Sequence, residues 1–263
     1  MNAETAADLL AAMRRNRPLV HNITNYVAMD ITANGLLAVG ASPAMVSAVE
    51  EAAEFVAVAD ALVVNIGTLS PPSFAAMQRA AVHAVDLGKP WVLDPVAVGA
   101  TRYRTEAAND LAGRRPTVIR GNASEILALA GGSDGTRGVD ATHGSDQARS
   151  AASGLARITG AVVAVTGSVD YVTDGRREAA VENGHPLMTR VTAVGCLASA
   201  LVGAFLPSTD DALAATVAAL TVLGVVGERA AAAADGPGSF RVRLIDELYR
   251  IDADAIRRDA RIG

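Results

Sequence analysis

Ala61-Leu62-Val63-Val64-Asn65-Ile66-Gly67-Thr68 sets an uninterrupted apolar run against a polar, glycine-containing end. Residues that do not alternate between apolar and polar suit a strand covered on both faces, as in the middle of a parallel sheet. The form recurs in Ala161 to Thr166, with Val162-Val163-Ala164-Val165, and in Pro90 to Pro95, with Trp91-Val92-Leu93. Shorter runs stand at Pro18 to His21, Ala44 to Ala48 and Thr117 to Arg120. Helical patterns lie between them: Tyr26 to Val39 before Gly40, Pro71 to Leu87 before Gly88, Thr105 to Leu111 before Gly113, and Ser124 to Ala130 before Gly131. Glycine after the last periodic residue is the usual stop of a helix. This alternation predicts an α/β fold of three layers, α/β/α, around a central, mostly parallel sheet.

Beyond Thr166 the pattern changes. Tyr171-Val172-Thr173 and Glu178-Ala179-Ala180-Val181 flank Asp174-Gly175, a hairpin signal that adds antiparallel strands to the sheet. From Gly195 the chain reads as helix through Phe205, then Ala212 to Ala234, then Phe240 to roughly Arg258. Met1 to Arg17 reads as an amphipathic first helix with no apolar export segment. Gly131 to Asp146, rich in Gly, Ser, Asp and Thr, reads as a loop. No break in composition marks a linker, so residues 1–263 are expected to form one domain.

Composition narrows the function. Hydrophobic residues make up 51% of the 263 and charged residues 19%, which excludes a disordered chain. With 23 basic and 28 acidic side chains the net charge is −5, so no nucleic-acid or anionic membrane partner is expected. A single cysteine forms no internal disulfide and suits a cytoplasmic location. Mean hydropathy of +0.28 raises a membrane reading for two uncharged stretches, Val191 to Thr209 and Ala212 to Gly227. The first contains Thr192, Gly195, Ser199, Gly203 and Pro207 and the second is short, so both read as buried core helices.

In doubly wound sheets the chemistry gathers where strands end and helices begin. The strand ends here supply His21-Asn22-Ile23-Thr24-Asn25, Asn65-Ile66-Gly67-Thr68, Asp94-Pro95, Arg120-Gly121-Asn122 and Thr166-Gly167. Asp94 follows three apolar residues, and a charge there needs a partner or a function. In Asn122-Ala123-Ser124-Glu125 the asparagine suits an N-cap and the glutamate its capping-box partner. On these residues alone the cap is the favoured reading; Glu125 as a second carboxylate for Mg²⁺ beside substrate phosphates is compatible with it, the metal being reached through water. Thr192-Ala193-Val194-Gly195-Cys196 opens an apolar helix whose amides would receive an anion. Cys196 in its first turn is expected to have a lowered thiol pKa; plain burial of a small apolar residue is the alternative. Arg120 reads as a phosphate ligand or a solvated cation, and Met45 by default as core. Neither GxxxxGK[ST] nor GxGxxG occurs, so a nucleotide would need another phosphate-binding device. A Cys–His hydrolase is a further reading, although His21, His83, His143 and His185 form no motif with Cys196.

Taken together, the motifs resemble hydroxyethylthiazole kinase, a thiamine-salvage family of the ribokinase-like superfamily. The resemblance runs from Val20-His21-Asn22-Ile23-Thr24-Asn25 to about Pro207. It is carried by Ser42-Pro43-Ala44-Met45, Val64-Asn65-Ile66-Gly67-Thr68-Leu69, Leu93-Asp94-Pro95-Val96-Ala97-Val98-Gly99-Ala100, Ile119-Arg120-Gly121-Asn122-Ala123-Ser124-Glu125-Ile126, Val165-Thr166-Gly167 and Gly195-Cys196. It implies phosphorylation of 4-methyl-5-(2-hydroxyethyl)thiazole with ATP and Mg²⁺, by a homotrimer with active sites at subunit boundaries. Asp94 and Glu125 match the Mg²⁺-associated positions, and Arg120, Thr166, Asn122 and Gly195 the ATP side. Met45, Asn25, Gly67 and Ala193 match the thiazole side. Cys196 stands where sugar-kinase relatives carry the catalytic aspartate. The family shows glycine where this chain has Ala193, a loss of conformational freedom in a substrate-contacting position. A kinase for a related alcohol such as hydroxymethylpyrimidine, or a thiazole-binding protein without catalysis, remains open on these residues.

Overall fold

The computed structural model describes residues 1–131 and 141–263. Five long-range parallel pairings join six strands: β1 (Leu19–Ile23), β2 (Ser42–Ala44), β3 (Ala61–Asn65), β4 (Trp91–Asp94), β5 (Val118–Asn122) and β6 (Val162–Thr166). The hairpin β7 (Asp170–Thr173) and β8 (Glu178–Val181) continues the sheet antiparallel, in the order β2-β1-β3-β4-β5-β6-β7-β8. Helices α1 (Ala3–Asn16), α2 (Met29–Val39), α3 (Ala52–Val58), α4 (Pro71–Asp86), α5 (Arg102–Ala112), α6 (Ala123–Leu129), α7 (Ala141–Thr159), α8 (Val194–Phe205), α9 (Ala212–Ala232), α10 (Pro237–Arg250) and α11 (Ala253–Asp259) complete the described elements. The three-layer expectation therefore holds, and no separate lid domain appears among the described residues.

The apolar strands need both faces covered, and two cores do this. Val20, Val63, Val92, Val118 and Ala164 pack with α1, α8, α9 and α10, whereas Leu62, Val64, Leu93, Ile119 and Val163 pack with α4, α5 and α7. By length and composition α9 would cross a membrane, but 78% of its apolar window is buried inside the protein. It is a core helix, as its sequence suggested. Gly224 and Gly227 let α9 take the Asn183–Met188 segment against its surface, because a Cβ on them would lie 2.7 Å from the Asn183 backbone oxygen and 2.5 Å from Met188 Sδ.

The element boundaries needed correction in several places. The β2 strand is Ser42–Ala44, not Ala44 to Ala48. Pro43 lacks an N–H and is tolerated on this edge, while the Val46 carbonyl turns from the sheet to accept a 2.7 Å hydrogen bond from His21 Nε2. The first inter-strand helix starts at Met29, because Asn25 and Thr24 belong to the loop that reaches the site. The terminal helix is two helices: Asp252 caps Ala255 N at 2.8 Å and starts α11. Of the loop expected over 131–146, residues 132–140 lie outside the described residues, and the chain is already helical from Ala141. The helices α3 and α7 were not anticipated.

Candidate active site

Asn65, Asp94, Arg120 and Thr166 each lie two residues beyond a core residue, Val63, Val92, Val118 and Ala164, that faces α8. Side chains alternate along a strand, so all four polar groups emerge on the α8 side at the carboxyl edge. Sheet order adds a second coincidence. The chain leaves β1 for β2 on one side and β3 for β4 on the other, so the crevice between β1 and β3 is the topological switch point where α/β sheets bind ligands. Asn25 and Gly67 follow those two strands.

A hydrogen-bonded chain crosses this crevice. Asn25 Nδ2 donates to Cys196 Sγ at 3.3 Å and to Asn65 Oδ1 at 2.9 Å. Asn65 Nδ2 donates to Asp94 Oδ2 at 2.7 Å, and Ser199, one turn beyond Cys196, donates to the same oxygen at 2.9 Å. Asp94 Oδ2 is thus held twice, whereas its buried Oδ1 has no partner. Burial pushes the Asp94 carboxyl up to about 6, against the pull of the Arg120 charge. The carboxylate is still ionised at neutral pH.

Glu125 makes the capping box the sequence suggested: Asn122 Oδ1 accepts from Glu125 N at 3.0 Å, and Asn122 N donates to Glu125 Oε2 at 2.8 Å. The other oxygen accepts from Ala97 N at 2.9 Å, which holds a turn where Ala97 has φ +58°. Each oxygen keeps a second lone pair. Among the described residues no three His, Cys, Asp or Glu side chains cluster as a metal cage. One unpartnered buried carboxylate oxygen with a nearby second carboxylate fits Mg²⁺, which takes one or two carboxylates and completes its shell from water and substrate phosphates.

Beside this crevice lies a cavity of about 660 Å³ lined by Arg120, Thr166, Gly167, Ala193 and Gly195 at one end and by Pro186, Met188, Leu220 and Leu223 at the other. Arg120 Nη2 donates to Thr166 Oγ1, and its buried Nε has no partner. Gly195 leaves room for the guanidinium: a Cβ would stand 3.0 Å from Arg120 Nη1. Asp170 also lines the cavity, accepts from Gly167 N at 2.9 Å, and is pushed up to about 6 by burial. The cavity carries the Arg120 guanidinium, the Asp170 carboxylate and the first backbone amides of α8 at one end and apolar side chains at the other, a division that suits a nucleoside triphosphate.

The structure thus brings Arg120, Thr166, Gly195 and Ala193 to one cavity and Asn25, Gly67, Cys196 and Asp94 to the adjoining crevice. Asn122 is not on the cavity wall; its amide oxygen also accepts from Ser124 Oγ at 2.7 Å in the cap. Met45 is half-buried on the segment that His21 fastens through Val46. A carbonyl only accepts, so His21 Nε2 carries the proton, and burial lowers the ring's pKa and keeps it neutral. The lowered thiol pKa expected for Cys196 is corrected: burial pushes it up, and the Asp94 charge adds to that. Desolvation outweighs the helix N-terminus at this depth.

Ala193 is the N-cap of α8 with φ +64°, a left-handed conformation that costs a side chain about 1–2 kcal/mol. Ala193→Gly removes that strain and restores part of it as unfolded-chain entropy, about 0.4–1 kcal/mol. The expected net gain is roughly 1 kcal/mol, a rise of about 2–4 °C in melting temperature. A calorimetric scan showing a lower melting temperature would contradict this.

Asn65 and Ser199 were not assigned from sequence. The spacing of Ser199 three residues after Cys196 was a usable signal, since it places both on one helix face.

The profile of the Hydroxyethylthiazole kinase family matches residues 10–254. The chain belongs to the hydroxyethylthiazole kinase family. It is 58% identical over 252 residues to a hydroxyethylthiazole kinase of Granulibacter bethesdensis, covering 96% of this chain and 92% of that protein. A Rhizobium johnstonii hydroxyethylthiazole kinase is 54% identical over 260 residues, with 98% and 97% covered. The solved hydroxyethylthiazole kinase protein of Pyrococcus horikoshii superposes with a TM-score of 0.92 at 46% identity, over 98% of both chains. A pyridoxal kinase of Staphylococcus aureus, TM-score 0.60 at 16% identity over 81% of this chain and 88% of that one, shares the fold.

Proposed function

We propose that the chain transfers the γ-phosphoryl group of ATP to the primary alcohol of 4-methyl-5-(2-hydroxyethyl)thiazole in thiamine salvage. The observation that carries this is the adjacency of two half-sites: the cavity at Arg120 and the Asn25–Cys196–Asp94 crevice, joined through the first turn of α8. Family membership supplies the substrate class.

Arg120, Thr166 and the amides around Gly195 bind the phosphates, and the apolar end near Leu223 receives the base. Asn122 caps the helix that carries Glu125. Asp94 and Glu125 would hold Mg²⁺, which would supply charge neutralisation at the transferring phosphates. Asn25, Gly67, Met45 and Ala193 line the acceptor side. Cys196 orients the attacking hydroxyl, because a thiol whose pKa is raised stays protonated at neutral pH and offers no thiolate as a base. Phosphoryl transfer through a loose transition state depends on in-line positioning and charge more than on early proton removal. A Cys-dependent hydrolase would need a thiolate, and this thiol takes its hydrogen bond from an amide instead of an imidazole.

The reading includes a cytoplasmic homotrimer with its sites between subunits. Tyr26 and Val27, adjoining Asn25, are 73% and 63% exposed, and Met45 is only half-buried. The acceptor crevice therefore ends at an apolar surface that a second copy would cover.

A coupled assay of ADP release decides the function. Release should require the thiazole alcohol and exceed that with hydroxymethylpyrimidine; release indifferent to the alcohol would sink the reading. In the same assay Cys196→Asp should keep or raise turnover, since aspartate is a better acceptor for the hydroxyl proton. Alkylation of native Cys196 by iodoacetamide at pH 7.5 should be at least about tenfold slower than that of a free thiol. Rapid alkylation, or total loss of activity in Cys196→Asp, would rule out Cys196 as the group that orients the hydroxyl.

A further inference from the structure

Arg104 sits in the first turn of α5, where a cation opposes the helix dipole. Its guanidinium is engaged by backbone carbonyls of two other loops. Nη1 donates to Ile66 O at 2.6 Å and to Val96 O at 3.2 Å, and Nη2 to Gly67 O at 2.7 Å. Ile66 and Gly67 turn the chain after β3, and Val96 turns it after β4. A single planar cation therefore fastens together the turns that directly follow Asn65 and Asp94.

Both turns are tight enough for this to matter. A Cβ on Gly67 would lie 2.8 Å from Asn25 Cβ and Nδ2, so the Gly67 backbone is packed against the amide that reaches Cys196. Gly67 N also donates to Asn65 Oδ1 at 2.9 Å. On the other turn, Val96 precedes left-handed Ala97, whose N–H is held by Glu125. If the Ile66-Gly67 turn relaxes outward, Asn25 loses its backing, and Cys196 loses its donor.

We propose that Arg104 is a positioning residue that holds the acceptor-side turn at Ile66-Gly67 in register with the Asp94 turn. The planar fork of arginine satisfies three carbonyls with charge-assisted hydrogen bonds, whereas one ammonium of lysine meets fewer in this geometry. The inference rests on the acceptor crevice assigned above.

The test uses Arg104→Ala and Arg104→Lys in the full chain, with two readouts. Arg104→Ala should raise KM for the thiazole alcohol about tenfold and leave KM for ATP within about twofold, with Arg104→Lys between it and the native protein. Iodoacetamide should modify Cys196 at least about fivefold more slowly in Arg104→Ala without any substrate present, because the Asn25 hydrogen bond that favours the thiolate is lost. Circular dichroism confirms folding, and if Arg104→Ala does not fold, Arg104→Lys decides both readouts. Unchanged alkylation, or equal rises in both KM values, would overturn the proposal. Absence of thiazole-dependent ADP release in the native protein would remove the proposed function and leave the alkylation readout to judge Arg104.

Discussion

Asp94→Asn should lower the turnover of ADP release by about 10²–10³-fold, the usual effect of deleting one preorganised electrostatic group. The melting temperature should not fall. The substitution keeps the size of the side chain, and its amide oxygen can take the hydrogen bonds from Asn65 and Ser199 that Asp94 Oδ2 now accepts. What it removes is a buried charge whose only unpartnered atom is Oδ1. The folded-state pKa of about 6 lies above the ordinary 3.8, so the folded protein holds a proton that the unfolded chain releases. At this residue alone stability therefore falls as pH rises from about 4 to 6 and is level above that. The burden at neutral pH is on the order of 3 kcal/mol. In Asp94→Asn that burden disappears, partly offset by a buried N–H in place of Oδ1, which costs about 1–3 kcal/mol when unpaired. Steady-state kinetics beside thermal melts in metal-free buffer at pH 5 and pH 8 check both halves. Full activity in Asp94→Asn, or a melting temperature several degrees lower, would refute the role of this carboxylate.

The same residue shows how much was legible in the sequence. Asp94 after Trp91-Val92-Leu93 was anomalous by polarity alone, and the two-residue offset from core valines places it beside Asn65 once strand order is known. Strands that are apolar throughout were readable because burial on both faces leaves no alternation. The edge strand was not, since Ser42–Ala44 is short and its course is settled by a distant side chain, His21. The direction of the Cys196 shift was hidden for a related reason. Helix position is local and visible in sequence, whereas burial beside Asp94 is a tertiary property. Arg104 escaped notice because backbone carbonyls, its partners, have no sequence signature.

Arg120→Met should raise KM for ATP by about 10²-fold while KM for the thiazole alcohol stays within about threefold. Arg120 is the one Lys or Arg on the described wall of the cavity, and it stands between Thr166 and the glycine that opens α8. Guanidinium and helix amides thus converge on the same place, and removing the former leaves only partial charges for the phosphates. Arg120→Lys recovers part of the loss, because a point charge replaces a fork. Gly195→Ala should reproduce a smaller share of it: the added methyl, 3.0 Å from Nη1, displaces the guanidinium without changing any charge. Arg120 also holds the Asp94 pKa down, so Arg120→Met pushes that carboxyl further above 6. The acid limb of its pH–rate profile should then lie at higher pH than in the native enzyme, since Asp94 must be ionised to act. Titrating kcat/KM for ATP from pH 5.5 to 9 in the three variants separates the two contributions. Loss of phosphate binding lowers the whole profile, whereas loss of the Asp94 counter-charge moves its acid limb. An unchanged KM for ATP in Arg120→Met would show that the cavity is not where the nucleotide binds.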